Sequence, residues 1–444
     1  MKLGPIAPGP RGDFLLGNLR AFRRDVLGLM LESAREYGDV VRFRLGPLVV
    51  HLLSHPDQVE YVLQSAARNY DKATRSSAKI SSICGSSLLT SNGEPWKRQR
   101  RLMQPSFHRQ QIAGMGADMI LLTAGMLERW QAAQLRGQAV DIAAEMMRLT
   151  YRIVAKTLMG AEGESDSSAI EQAITALLAH TYRRWGKVID WPAYVPTPGN
   201  LRFRRALQVV DQIVYRIIAE HRADRGKRNF LSALLQERDG ETGDAFSDSD
   251  LRNESITFLL AGHETTANAL AWTFYLLSQN PDVEQQLRAE LSTELGGRPP
   301  TVEDLSRLSF TTMVIQESMR LYPPIWALER RAIADDLIGG FFIPAGSSVV
   351  ISPYVVHRKE EFWPEAERFD PTRFSRRQRA YIPFGSGQRL CIGSEFAMME
   401  ARLILAMVLQ AWHLEFLPGD AVTPEPGITL RPKNGLRMRV SPAR

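Results

Sequence analysis

Cys391 is one of only two cysteines in this chain, and its neighbours make it a candidate metal ligand. It stands in Phe384-Gly385-Ser386-Gly387-Gln388-Arg389-Leu390-Cys391-Ile392-Gly393. Glycines let a backbone turn tightly and approach a flat group closely, because they carry no Cβ. Arg389, two residues before the cysteine, favours the thiolate that binds metal. The amphipathic stretch Ser394 to Trp412 reads as a helix whose positive N-terminal end adds to that effect. The competing interpretation is a buried structural cysteine, since free cysteine is among the most buried residues.

Three further groupings could carry chemistry. Glu317-Ser318-Met319-Arg320 places an acid and a base at i, i+3 on one helical face, a spacing that also suits an ordinary solvated ion pair. Ala261-Gly262-His263-Glu264-Thr265-Thr266 interrupts a helical stretch with glycine and threonine, both weak helix formers. Threonine hydroxyls bond to the carbonyl one turn back and bend a helix. A weakened helix bearing an acid and a hydroxyl suits proton delivery, and a tolerated run of poor helix formers is the plainer alternative. His263 reads as a surface or core histidine. Trp96 and Arg100 lie one turn apart and share a face, while Lys97, Arg98 and Arg101 fall on other faces.

Elements that must position these residues follow from periodicity. Residues 21–37 have helical spacing and end at Gly38. Val40 to Leu45 and Val49 to Leu53 flank Gly46-Pro47 and read as a β-hairpin. A short helix opens at His55-Pro56-Asp57. Residues 66–92 are polar and Ser/Gly-rich and read as a long loop. Glu94 to Leu235 is almost wholly helical, with breaks at 160–168, 191–199 and Gly226. Ser247 to Gln279 forms one long helix, stopped by Asn280-Pro281. Another spans 309–321 before Pro323-Pro324. Short strands are expected at 331–333, 341–343 and 349–352, and a strand-like tail at 428–440.

The chain has 444 residues, 44% hydrophobic and 23% charged, which is ordinary globular composition. No linker, repeat or low-complexity stretch divides it, so residues 1–444 are expected to form one domain. Two distant cysteines argue against a disulfide framework and for a reducing compartment. No apolar run near the N-terminus has the ~20 residues a membrane span needs. The expectation is a soluble cytoplasmic monomer. The net charge of +6 is mild, and without a basic tail or nucleic-acid motif it fits an acidic protein partner better than nucleic acid.

Taken together, these motifs resemble the cytochrome P450 monooxygenase family over nearly the whole chain. The cysteine segment fills every fixed position of the family pattern Phe-x-x-Gly-x-Arg-x-Cys-x-Gly. The Ala-Gly-x-Glu-Thr-Thr, Glu-x-x-Arg and Trp-x-x-x-Arg patterns match as well. The resemblance implies a mainly α fold with small β-sheets (α+β), holding heme b between the long central helix and the helix after Cys391. Cys391 would supply the axial thiolate to iron, and Phe384, Gly387 and Gly393 of its loop would bind the cofactor. Trp96, Arg100, Arg330 and Arg389 would meet the heme propionates. Glu264 and Thr265 would serve proton relay and oxygen activation. Glu317, Arg320 and Arg368, the last from Pro364-Glu365-Ala366-Glu367-Arg368, would form a buried charge network. Pocket walls are expected from Leu88, Leu89, Leu260, Ala261, Ile325, Trp326, Ala327, Ile428 and Thr429, under a lid near Tyr182 to Arg205 that includes Arg183 and Arg184. The reaction implied is insertion of one atom of O2 into an apolar small molecule. No flavin or iron–sulfur motif occurs, so electrons are expected from a separate acidic ferredoxin or flavodoxin with its reductase, docking near Lys97, Arg98 and Arg101. A peroxide-driven peroxygenase and a non-enzymatic heme sensor or electron carrier are the alternatives. The Glu264-Thr265 pair argues against the peroxygenase, whose members typically replace it.

Overall fold

The computed structural model describes residues 4–160, 164–184, 194–224, 229–417 and 422–443. Its axis is the helix Asp248–Gln279, 32 residues long. Ser247 starts it with a capping box: its hydroxyl accepts from the Asp250 N–H, and the Asp250 carboxylate accepts from the Ser247 N–H. The helix is apolar around most of its girth, as a helix buried on all sides must be. Trp272 is fully buried on it, stacked on Tyr322 at 4.0 Å, with its indole N–H donating to the Leu430 carbonyl.

Around this axis pack the helices Ile142–Met159, Ser309–Leu321 and Ser394–Ala411. The approach of Ile142–Met159 is close enough to require a glycine. A Cβ on Gly262 would lie 2.9 Å from a Val154 methyl. The helix Glu164–Arg184 packs against Pro198–Ala223 on the same side.

Four small sheets complete the described residues. The largest has five strands in the order Val40–Leu45, Leu48–Leu53, Ser348–Ile351, Leu328–Ala332, Tyr70–Asp71. Only the pairing of Leu48–Leu53 with Ser348–Ile351 is parallel. The hairpin register pairs Val40 with Leu53 and Leu45 with Leu48. A second core, around Trp363, Val349 and Ile343, lies against this sheet. Mainly α with small sheets, the architecture matches the sequence expectation.

Several boundaries differ. The N-terminal helical stretch is two helices, Leu19–Arg24 and Val26–Tyr37, because Asp25 leaves helical geometry and caps the second. The expected loop at 66–92 contains the helix Arg75–Cys84, capped by Thr74 and closed by Gly85 at φ 61°. Serines hid it, although Ile80, Ile83 and Cys84 have helical spacing and turn into the protein interior. The strand-like tail is two strands in different sheets, Leu430–Pro432 and Arg437–Pro442. The expected break at Gly226 lies outside the described residues, as do parts of those at 160–168 and 191–199.

Candidate active site

The loop Gly385–Gly393 brings Cys391 to the floor of a cavity of about 580 Å³. The Cys391 N–H donates to the Phe384 carbonyl at 3.0 Å, closing the loop on itself. Cys391 is open to the cavity yet deep in the protein, and burial pushes its thiol up. The Gly393 backbone N–H and the Arg100 charge oppose that shift. Such a thiol loses its proton outright when it binds a metal. Among the described residues no group of three or more His, Cys, Asp or Glu gathers for a metal. A metal held at Cys391 therefore needs a chelating group for its other ligands.

The glycines of the loop have different tasks. Gly385 and Gly393 line the cavity. A Cβ on Gly393 would meet only Phe107, at 3.9 Å. Protein atoms thus leave room beside it for another group. Gly387, expected to face the cofactor, does not line the cavity. A Cβ there would lie 2.1 Å from the Leu63 carbonyl oxygen, and its φ is 70°. It is needed where the loop crosses the segment Tyr61–Ser65, rather than for contact with a cofactor.

Four cations face the cavity: Lys72, Arg100, Arg330 and Arg389. None forms an ion pair with a carboxylate among the described residues. Arg389 donates from Nη2 to the Ser91 carbonyl and lies 4.4 Å over the Trp96 ring, while its Nη1 is buried without a partner. Arg330 donates to the neighbouring Glu329 carbonyl, and Arg100 to that of Leu390. Burial lowers Arg330 and Arg389 to about 10 each, and Arg330 adds its repulsion to Arg389. Lys72 is lowered to about 7, first by burial and then by the same two arginines. Lys72 escaped the sequence reading because it sat in a polar stretch that looked like a loop. Buried, mutually repelling cations with an unpartnered donor are the complement of a group bearing carboxylates. With the thiol beneath and open space beside Gly393, the residues fit heme.

The long helix also lines the cavity, with Leu260, Ala261, Gly262, Glu264 and Thr265. The Thr265 hydroxyl donates to the Ala261 carbonyl at 2.7 Å, the one-turn-back bond expected of it. One oxygen of Glu264, Oε1, accepts from the Tyr182 hydroxyl at 2.5 Å and from the Thr429 hydroxyl at 2.7 Å. Asn268 in turn donates to Thr429 at 3.0 Å. Tyr182 and Asn268 were not singled out in the sequence, because no spacing joins them to Glu264. His263 is a core residue, its Nδ1–H donating to the Leu259 carbonyl and its ring set edge-on to Tyr151.

All nine expected wall residues line this cavity: Leu88, Leu89, Leu260, Ala261, Ile325, Trp326, Ala327, Ile428 and Thr429. Phe107, Leu178 and Phe258 join them. Leu178 belongs to Glu164–Arg184 and precedes the expected lid, and no described residue of 182–205 lines the cavity. Residues 185–193 of that lid lie outside the described residues.

The charge network is built differently from the expectation. Arg320 and Glu317 are both fully buried. Arg320 donates to Glu317 twice, at 2.6 and 2.8 Å, and to the carbonyls of His357, Ala366 and Arg368. Arg368 supplies only that carbonyl. Its side chain is exposed and paired with Glu365. The second arginine on Glu317 is Arg373, 3.5 Å away and nearly buried, because the turn at Pro371–Ser375 carries it inward. The Asp370 N–H completes the carboxylate's partners. The basic helix Gly93–Met103 also departs from expectation. Arg98 turns onto the buried carboxylate of Asp239, while Arg101, paired with Asp239 and Glu241, and Lys97, paired with Glu94, stay exposed.

Comparison with known proteins agrees with this site. The cytochrome P450 family model matches residues 7–438. The chain is similar to cyclooctatin synthase of Streptomyces melanosporofaciens, 37% identical over 96% of this chain and 93% of the relative. It is 38% identical to cyclooctat-9-en-7-ol 5-monooxygenase of the same organism, over 92% and 89%. It is 34% identical to pentalenene oxygenase of Streptomyces avermitilis, over 93% and 92%. No helix among the described residues is long and apolar enough to cross a membrane. This chain belongs to the cytochrome P450 family, and it is a heme-dependent monooxygenase, an oxidoreductase.

Proposed function

We propose that this enzyme hydroxylates or epoxidises an apolar small molecule held in the cavity that Thr265 and the cysteine loop both line, where the Cys391 thiolate would hold heme b. One observation carries the reading. One apolar-walled cavity is lined by a lone cysteine, by cations without a carboxylate partner among the described residues, and by an acid and a hydroxyl of the long helix. Bound heme supplies dioxygen binding and O–O cleavage, which thiolate ligation favours. One oxygen atom enters the substrate, and the other leaves as water with two electrons and two protons.

The protein's own residues do the rest. Arg330, Arg389, Arg100 and Lys72 would hold the propionates, with Trp96 supporting Arg389. Thr265 and Glu264 deliver protons from the distal wall. The apolar wall from Leu88 to Ile428 excludes water and orients the substrate. Compounds like those in the relatives' names, cyclooctat-9-en-7-ol and pentalenene, are the first candidates because the wall offers them apolar contact. Electrons come from a separate acidic ferredoxin or flavodoxin. Arg98 is engaged internally, so Lys97 and Arg101, exposed though paired with neighbouring acids, are the cations of that trio left to meet it.

Carbon monoxide tests the assignment. The reduced protein should show the red-shifted absorption band of thiolate-bound heme, and Cys391→Ser should lose it. A wild-type band at the position of a histidine-ligated heme would refute it.

A further inference from the structure

Glu264 is held by one of its two oxygens. Oε1 accepts from both Tyr182 and Thr429, while Oε2 has no hydrogen-bond partner among the described residues. The hydroxyl oxygens are already occupied as acceptors. That of Tyr182 takes the Thr429 N–H at 3.3 Å, and that of Thr429 takes an Asn268 amide N–H at 3.0 Å. Each hydroxyl is left its own proton to donate. The two hydroxyl oxygens also lie 2.9 Å apart, yet a carboxylate oxygen is the stronger acceptor. A proton on Oε1 would face two donors. A proton on Glu264 therefore belongs on Oε2, and Glu264 lines the cavity.

Three elements build this clamp. Glu264 and Asn268 stand one turn apart on the long helix and share a face. Thr429 sits in the turn 427–429. The Trp326 indole N–H pins that turn by donating to the Gly427 carbonyl at 3.0 Å, and the Leu430 N–H donates to the Pro324 carbonyl at 2.9 Å. Tyr182, from Glu164–Arg184, fills a notch that Gly427 leaves open. A Cβ on Gly427 would lie 1.6 Å from a Tyr182 ring carbon. Arg431, itself paired with Glu425, lies 4.5 Å over the ring. The phenol is a fixed donor rather than a relay, because burial and then the Glu264 charge push its pKa far up.

We infer that Tyr182 and Thr429 are positioning residues: they bind Glu264 by Oε1, keep its side chain from turning, and leave Oε2 to pass protons into the cavity. A proton taken from water forms the O–H bond at Oε2, and its release to the cavity returns the carboxylate. The role holds only if Glu264 relays protons, as proposed above. Infrared difference spectra of the resting protein test the clamp without turnover. The Glu264 carboxyl bands, isolated by subtracting Glu264→Gln, should shift in Tyr182→Phe and in Thr429→Val. Thr429→Ser, which keeps the hydroxyl, should restore them. Turnover tests the relay, as dioxygen uptake and peroxide release with a surrogate ferredoxin, its reductase and pentalenene as the probe. Tyr182→Phe should lower kcat by about tenfold, the scale of a lost hydrogen bond to a charged group. The share of dioxygen leaving as peroxide and the solvent isotope effect should rise, while the KM for pentalenene stays within about twofold. In a Glu264→Gln background the same change should cost nothing further. Bands that do not move, or an equal loss of kcat in both backgrounds, overturn the inference. A wild type that takes up no dioxygen would instead count against the assigned reaction, and the infrared bands alone would then decide the clamp.

Discussion

Two sets of buried arginines flank the cysteine loop, and they are built on opposite plans. Arg320 sits behind the loop with a carboxylate gripping it through two bonds and three carbonyls taking its remaining donors. That accounts for all five donors of a guanidinium. Arg330 and Arg389 sit at the cavity rim with no carboxylate, one orphaned donor and mutual repulsion. The first set is complete within the protein. It ties the helix Ser309–Leu321 to residues 357–370, which lead into the cysteine loop. The second set is incomplete, and a buried cation left incomplete is costly unless something else completes it. Burial alone does not separate a structural arginine from a binding one. The accounting of its partners does.

Breaking the complete set should have the largest effect. Glu317→Ala strands a fully buried guanidinium, at a cost of roughly 3–5 kcal/mol. Apoprotein should melt far earlier, and heme content should fall with it. A variant melting like wild type would show that Arg320 is satisfied by carbonyls alone. Substituting the incomplete set should act in the other direction on the apoprotein. Arg330→Met or Arg389→Met removes an uncompensated charge, so denaturation of apoprotein should show equal or greater stability. Heme affinity should fall by about tenfold or more per residue, the scale of a lost charge-assisted hydrogen bond. If either variant destabilised apoprotein as Glu317→Ala does, the contrast would collapse. Thr265→Ala touches neither set and serves as the control. Melting and heme content should hold, while product per reducing equivalent falls and peroxide rises. Unchanged coupling would make Thr265 a packing residue.

The two plans were not equally legible in the sequence. The i, i+3 pair Glu317 and Arg320 and the cysteine loop stand on contiguous motifs, and their helices came within a residue or two of the observed bounds. The third member of the network did not. Arg368 and Arg373 lie five residues apart in an irregular segment, where no period says which side chain points inward. Lys72 and Tyr182 were invisible for a related reason. Each meets its partners only through tertiary contact, Lys72 beside Arg330 and Arg389, Tyr182 beside Glu264. Gly387 shows the converse error: a motif position kept for backbone packing was read as contact with the cofactor.

Lys72 gives the finest test of the incomplete set, through pH. Its ammonium is held down to about 7 by burial and by the charges of Arg330 and Arg389, against about 10.4 in an unfolded chain. Between those values the unfolded chain keeps a proton that the folded apoprotein has released. The unfolded state therefore binds more protons, and stability rises with pH across the window. Other groups crowd its edges. Glu254, pushed up to about 8 by burial, gives the opposite slope below that value. Tyrosine phenols begin to ionise in the unfolded chain near pH 10. Cys84 and Cys391, both pushed up by burial, also give the opposite slope from about pH 8, where thiols begin to ionise in the unfolded chain. Lys72 is therefore read by difference, wild type against Lys72→Met, between about pH 8 and 9.5. Across that interval wild-type apoprotein should gain on the order of 1 kcal/mol relative to the variant, since water in the cavity screens the charge. With heme bound the difference should flatten, because propionates keep the ammonium charged and return its folded pKa toward the unfolded one. A difference that does not change with pH in the apoprotein would place the titrating group elsewhere. One that survives heme binding would mean that no anion reaches Lys72, and the rim cations would need another explanation.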